Sequence, residues 1–310
     1  MRPFAVTASA LAALAILASA SDASAFCRST TCRTTSAKEC ATDENSCPTD
    51  GAKLFWPTSC VSYAMNEQGT QDLDPVDARD IIRKTFQAWT EVPCPAGGNA
   101  SMTFEERDPV SCKKSGYNKD APNLNVVLFQ DDDWKYRGID GTLAKTSVTY
   151  NDETGEIYDA DIEVNAANNT VTISDNPAKI EYDLQAILTH EVGHFIGIAH
   201  SAESSAVMFS SYSPGSTSQR KLSPDDIDAV CAVYPPNSGV ACNSKPRGGF
   251  SASCDRDEKS GLCAVSAVGS AEGGRHGSPV TGTSASFAVM GLGMLAAALS
   301  RRANRRGRRT

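Results

Sequence analysis

The chain has 310 residues, 40% hydrophobic and 21% charged, which suits one well-buried globular domain with appendages. Its formal charge of −8 is uneven: residues 1–25 carry only Arg2 and Asp22, residues 285–310 carry six arginines and no acid, and residues 26–284 therefore hold −14. An acidic body excludes nucleic acid as the main partner, because phosphate binding needs a basic face.

Arg2, the apolar run Ala8 to Ala20 and the small-residue pattern Ala23-Ser24-Ala25 predict a secretory signal over 1–25, cut before Phe26. All 11 cysteines follow it, which predicts disulfides formed in an oxidising compartment; the odd number leaves at least one thiol free, modified or paired between molecules. Residues 26–50 set Cys27, Cys32, Cys40 and Cys47 among polar residues with almost no large apolar ones, so this leader depends on disulfides for order.

The body, 51–236, opens with strand patterns at Leu54–Trp56 and Val61–Met65. Asp74-Pro75 starts a helix by N-cap and first-turn proline, and Ala78, Ile81, Ile82, Phe86 and Trp89 give it one apolar face. Met102–Phe104 and Leu124–Phe129 read as strands, the second as a buried run. Leu143–Tyr150 and Glu156–Val164 read as a hairpin around Asn151–Gly155. A second helix spans 181–199, a polar loop Ser210–Ser218, and a third helix starts at Ser223-Pro224-Asp225-Asp226 and stops at Pro235-Pro236.

Beyond the body, residues 237–279 hold Cys242, Cys254 and Cys263 and pass into a Gly/Ser-rich linker. Residues 280–300 are apolar or small throughout and long enough, at ~1.5 Å per helical residue, to cross a bilayer, with the arginine-rich 301–310 held on the inner side. This predicts an exported protein, extracellular or anchored to the cell surface through that membrane segment.

Only four histidines are present, and three fall in His190-Glu191-Val192-Gly193-His194-Phe195-Ile196-Gly197-Ile198-Ala199-His200. Residues four apart share a helix face, so His190 and His194 can present two imidazoles to one ion. Gly197 permits the left-handed backbone of a sharp exit, which brings His200 round as third ligand. Three imidazoles leave a fourth tetrahedral position for water, as in a catalytic zinc site, and Glu191 stands where a general base would take that water's proton.

This spacing resembles the metzincin zinc peptidases, and Ser201 after the third histidine points to their matrixin branch. Val207-Met208-Phe209 with Tyr212 is similar to the family's Met-turn, placing Met208 beneath the metal. Leu222 to Ile227 with Val233-Tyr234 resembles its last helix, and Phe55-Trp56 and Phe86-Gln87-Ala88-Trp89 its first strand and helix. The resemblance implies an α+β fold: a twisted, mostly parallel sheet with an antiparallel edge strand, three helices, and a zinc cleft between upper and lower subdomains. It implies a monomeric endopeptidase acting on proteins or peptides. The second, structural zinc of animal members lacks its histidines, since only His276 remains, and Cys47-Pro48 is not the family's full latency sequence, so a plain disulfide is expected there. Asp159, Asp161 and Glu163 alternate along one strand face and are candidates for calcium. The tail resembles the sorting tails of certain bacterial surface proteins. A competing reading is a surface binding or adhesion protein carrying an idle metallo-domain.

Overall fold

The computed structural model describes residues 25–35, 39–136, 142–252 and the backbone of 287–296. Residues 1–24 of the predicted signal, residues 253–286 with Cys254, Cys263 and His276, and residues 297–310 with the arginine tail lie outside the described residues.

In chain order the elements are β1 (Cys27–Arg28), β2 (Cys60–Met65), α1 (Pro75–Ala88), β3 (Thr103–Glu106), β4 (Val126–Gln130), β5 (Thr142–Asn151), β6 (Ile157–Asn165), β7 (Val171–Thr172), β8 (Tyr182–Asp183), α2 (Leu184–Phe195), β9 (Ile198–Ala199), β10 (Ser211–Tyr212), α3 (Pro224–Val233) and β11 (Phe287–Ala296). The main sheet runs β10-β11-β5-β6-β4-β2-β3. Pairings among β3, β2, β4 and β6 are parallel, while β5 is antiparallel to β6. This is the α+β architecture expected from the sequence. Gly155 makes the β5–β6 hairpin, adopting φ +80 beside the Lys53 backbone, where a side chain has no room.

The core lies between the sheet and helices α1 and α2. Tyr63 of β2 stacks on Phe86 of α1 with ring centroids 3.7 Å apart, and Phe195 meets Phe86 edge-on. All nine residues of β6 are buried. Ala160, Ile162 and Val164 enter this core, while Val110, Leu124, Val126 and Leu128 form a smaller cluster with Ala64. Leu54–Trp56 forms only an isolated bridge to Glu156 rather than a strand. The second helix stops at Phe195, short of the predicted 199, because Gly197 turns the chain at φ +87.

The leader is stapled by Cys27–Cys47 and Cys32–Cys40, and the body by Cys60–Cys242 and Cys94–Cys231; Cys112 is also disulfide-bonded. Cys47 therefore serves as a cross-link. Through β1, the leader pairs with β9, Cys27 opposite Ala199 and Arg28 opposite Ile198.

The apolar run 280–300 differs from its expectation as a membrane helix. Its described part, Phe287–Ala296, is an extended strand antiparallel to β5, and among the described residues no helix is long and apolar enough to cross a membrane. Uncharged residues with two glycines, Gly291 and Gly293, suit a sheet edge as well as lipid, and glycine disfavours helix.

Candidate metal centre

Helix α2 carries His190, Glu191 and His194 into the interior, and all three are fully buried. Asp183 caps its start by accepting from the Ala186 N–H at 2.7 Å. At the other end the Trp56 indole donates to the Phe195 carbonyl and the Tyr234 hydroxyl to that of Ile196, both at 2.9 Å, satisfying carbonyls that the helix leaves open. Gly197 then passes so close to Leu54 that an added Cβ would lie 2.7 Å from its carbonyl oxygen. Past that bend, β9 delivers His200.

The three rings converge, with centroids 4.7, 4.9 and 5.2 Å apart and one ligand-capable atom of each within 4.8 Å of the others. The Nε2 atoms of His194 and His200 are 3.3 Å apart. Nδ1 of His190 meets the Val207 carbonyl at 2.7 Å and Nδ1 of His194 meets that of Ile198 at 2.8 Å. A carbonyl only accepts, so each Nδ1 carries the proton and each Nε2 keeps its lone pair for a ligand. His190 Nε2 is buried and has no protein partner.

Electrostatics favour the neutral rings. Burial, then the neighbouring His200, pushes His190 down to about 3. Burial alone takes His200 to about 4, and burial with the other two imidazoles holds His194 well below its usual value. Three crowded neutral donors, one with an unpartnered buried lone pair, fit a divalent zinc ion and have no packing purpose without one.

Glu191 follows His190 on α2 and is fully buried. Burial raises its carboxyl to about 8, opposed by hydrogen bonds from Thr146. The Thr146 hydroxyl, on β5, donates to Oε2 at 2.6 Å and also lies 3.1 Å from the Glu191 carbonyl oxygen. Oε1 has no protein partner. One carboxyl oxygen is thus held by Thr146 while the other is left without a protein partner.

Met208 is fully buried on the turn below α2. The Asp226 carboxylate accepts from the backbone N–H groups of Val207 at 2.8 Å and Met208 at 3.0 Å, while closing the capping box of α3 with Ser223. The contacts that Thr146, Asp226 and Gly193 make around the site are not foreseen from the sequence. A lone polar residue among Ala144, Val148 and Tyr150 on the inward face of β5 was the signal for Thr146.

Asp159, Asp161 and Glu163 share one buried face of β6, and protein groups engage Asp161 and Glu163. Asp161 accepts from the N–H groups of Gly116 and Val126. Glu163 accepts from Ser115, Gln130 and Tyr136 and pairs with Lys135. Burial works against the Glu163 charge, yet Lys135 and Tyr136 outweigh it and hold the carboxyl below its ordinary range. These carboxylates pin the segments on either side of β4, and β4 itself, to β6.

A family model described as Matrixin matches residues 55–235. The chain is 26% identical over 195 residues to metalloendoproteinase 1-MMP of Arabidopsis thaliana, covering 62% of this chain and 48% of that protein. It is 28% identical over 204 residues to matrix metalloproteinase-C of Caenorhabditis elegans, covering 64% and 32%. With interstitial collagenase of Bos taurus it shares 29% over 185 residues, 60% and 34%. The chain thus spans less than half the length of these relatives.

Proposed function

Because the chain belongs to the matrixin family, we propose that it is an exported zinc endopeptidase that hydrolyses peptide bonds in extracellular proteins, with His190, His194 and His200 holding the ion and Glu191 acting as general base. The observation that carries this reading is the convergence of the three imidazoles, with His190 Nε2 buried and unpartnered. A zinc ion held there would supply a Lewis acid that polarises the scissile carbonyl and acidifies a water molecule.

The chain's own groups do the rest. The carbonyls of Val207 and Ile198 fix the ring tautomers of His190 and His194. Glu191 Oε1 takes the proton from the attacking water and gives it to the departing amine, while Thr146 keeps Oε2 in place. Met208 packs beneath the cluster as its floor. An extended substrate adds as a strand to the outer edge of β5, which carries Thr146. The disulfides suit the oxidising setting that export provides. An idle binding domain would have no use for a buried carboxylate oxygen kept free of protein partners.

Glu191→Gln tests the assignment. Zinc content should stay at the wild-type level while turnover of an unfolded protein substrate drops by about 10²–10⁴. A variant that still cleaves removes Glu191 from the role; a zinc-loaded wild-type chain that cleaves nothing removes the enzyme.

A further inference from the structure

The edge of β5 is occupied by the chain itself. Segment 287–296 runs antiparallel to it, with Phe287 opposite Asn151, Met290 opposite Val148, Leu292 opposite Thr146 and Leu295 opposite Thr142. Its other flank pairs in parallel with β10, Leu295 opposite Ser211 and Ala296 opposite Tyr212. The segment therefore fills the slot between the strand whose Thr146 holds Glu191 and the short strand that follows Met208. No residue of Phe-Ala-Val-Met-Gly-Leu-Gly-Met-Leu-Ala carries a charge.

We propose that segment 287–296 is a resident occupant of this slot and competes there in cis with substrate. The inference rests on the peptidase reading for what is being blocked, but the occupancy is independent of it. Backbone pairing along both flanks supplies affinity without demanding a particular sequence. Residues 253–286 join the segment covalently to the body, and such a linkage can give an effective concentration of the order of millimolar. A free substrate must exceed that local concentration or wait for the segment to leave. The site then favours abundant or apolar, unfolded substrates over scarce ones.

The test uses the full chain with Val289→Pro and Met290→Pro together. Consecutive N–H groups in a strand point to opposite flanks, so the double substitution removes a donor on each side whatever the phase. Apparent KM for an apolar peptide substrate should fall about tenfold or more, with kcat unchanged. A synthetic peptide of the sequence 287–296 should restore the high KM in the double variant. A second arm needs no catalysis: fluorescence anisotropy of the labelled peptide should show binding to a chain carrying Glu191→Gln with both prolines, and weaker binding to Glu191→Gln alone. If the peptide binds but no chain cleaves, the slot stands and the peptidase reading falls. Unchanged KM with no peptide binding overturns the slot, as does stable insertion of the segment of the wild-type chain into phosphatidylcholine vesicles with KM unaffected by the prolines.

Discussion

Gly193 lies against the sulfur of Met208 so closely that a Cβ on Gly193 would overlap Sδ and sit 3.0 Å from Cε, with Trp89 Cζ2 at 3.2 Å behind it. The glycine between the two helical histidines thus has a packing reason: it lets the turn carrying Met208 rise against α2. Trp89 cannot retreat, because its indole donates to the Thr189 carbonyl at 2.9 Å. Gly193→Ala should cost about 1–3 kcal/mol by overpacking. Denaturant unfolding of the zinc-loaded chain measures this, and a stability equal to wild type would show that Met208 moves aside freely.

Thr146 gives a sharper prediction about turnover. Replacing it with valine keeps the shape but leaves Glu191 Oε2 buried without its donor, at about 1–3 kcal/mol. Because the hydroxyl acts on the base rather than on substrate, kcat should fall about tenfold while KM stays constant, and Thr146→Ser should recover most of the loss. A rise in KM alone would assign Thr146 to substrate binding instead.

These two positions also mark where the sequence stopped being informative. The three histidines and Glu191 were legible because helical spacing and the glycine bend are local, and α1, α3 and the β5–β6 hairpin were legible from caps and periodicity. Thr146 meets Glu191 across 45 residues, and Asp226 reaches Met208 across 18. Such contacts follow from how elements stack, which no window of sequence contains. The acidic face of β6 is visible as alternation, but its partners lie on β4 and on the segments flanking it, whose positions are set only in the folded chain. Segment 287–296 departs from the expected membrane helix because apolar composition alone does not separate a lipid-facing helix from a strand on a sheet edge.

The pH dependence of stability should show the cluster directly. With the ion removed by chelator, folded His190 and His200 protonate at about 3 and about 4, against 6.5 when unfolded, and His194 is depressed too. Below pH 6.5 the unfolded chain takes up more protons, so stability falls as pH falls. Glu191 acts in the opposite sense: at about 8 folded and 4.5 unfolded, it favours the folded state below pH 4.5, and that contribution is lost as pH rises through 8. Denaturant midpoints of the stripped wild-type chain minus those of Glu191→Gln should therefore decline between pH 4.5 and 8. A flat difference would mean that Glu191 is solvated when folded.

The leader yields the last prediction, because it braces the bend that aims His200. The Ser29 N–H donates to the Gly197 carbonyl at 3.0 Å, and β1 pairs with Ile198 and Ala199 immediately before the histidine. Cys27–Cys47 holds β1 in place, so Cys27→Ser with Cys47→Ser should free the leader while leaving α2 with its caps at Asp183 and Trp56 intact. His190 and His194 would stay aligned and His200 would lose its support. Zinc affinity should drop about 10–100-fold, the usual cost of removing a group that orients a ligand. Competition with a chromophoric chelator reads that loss. Full affinity in the double variant would mean that Gly197 and the Met208 turn hold His200 without help, and that the leader serves some other surface.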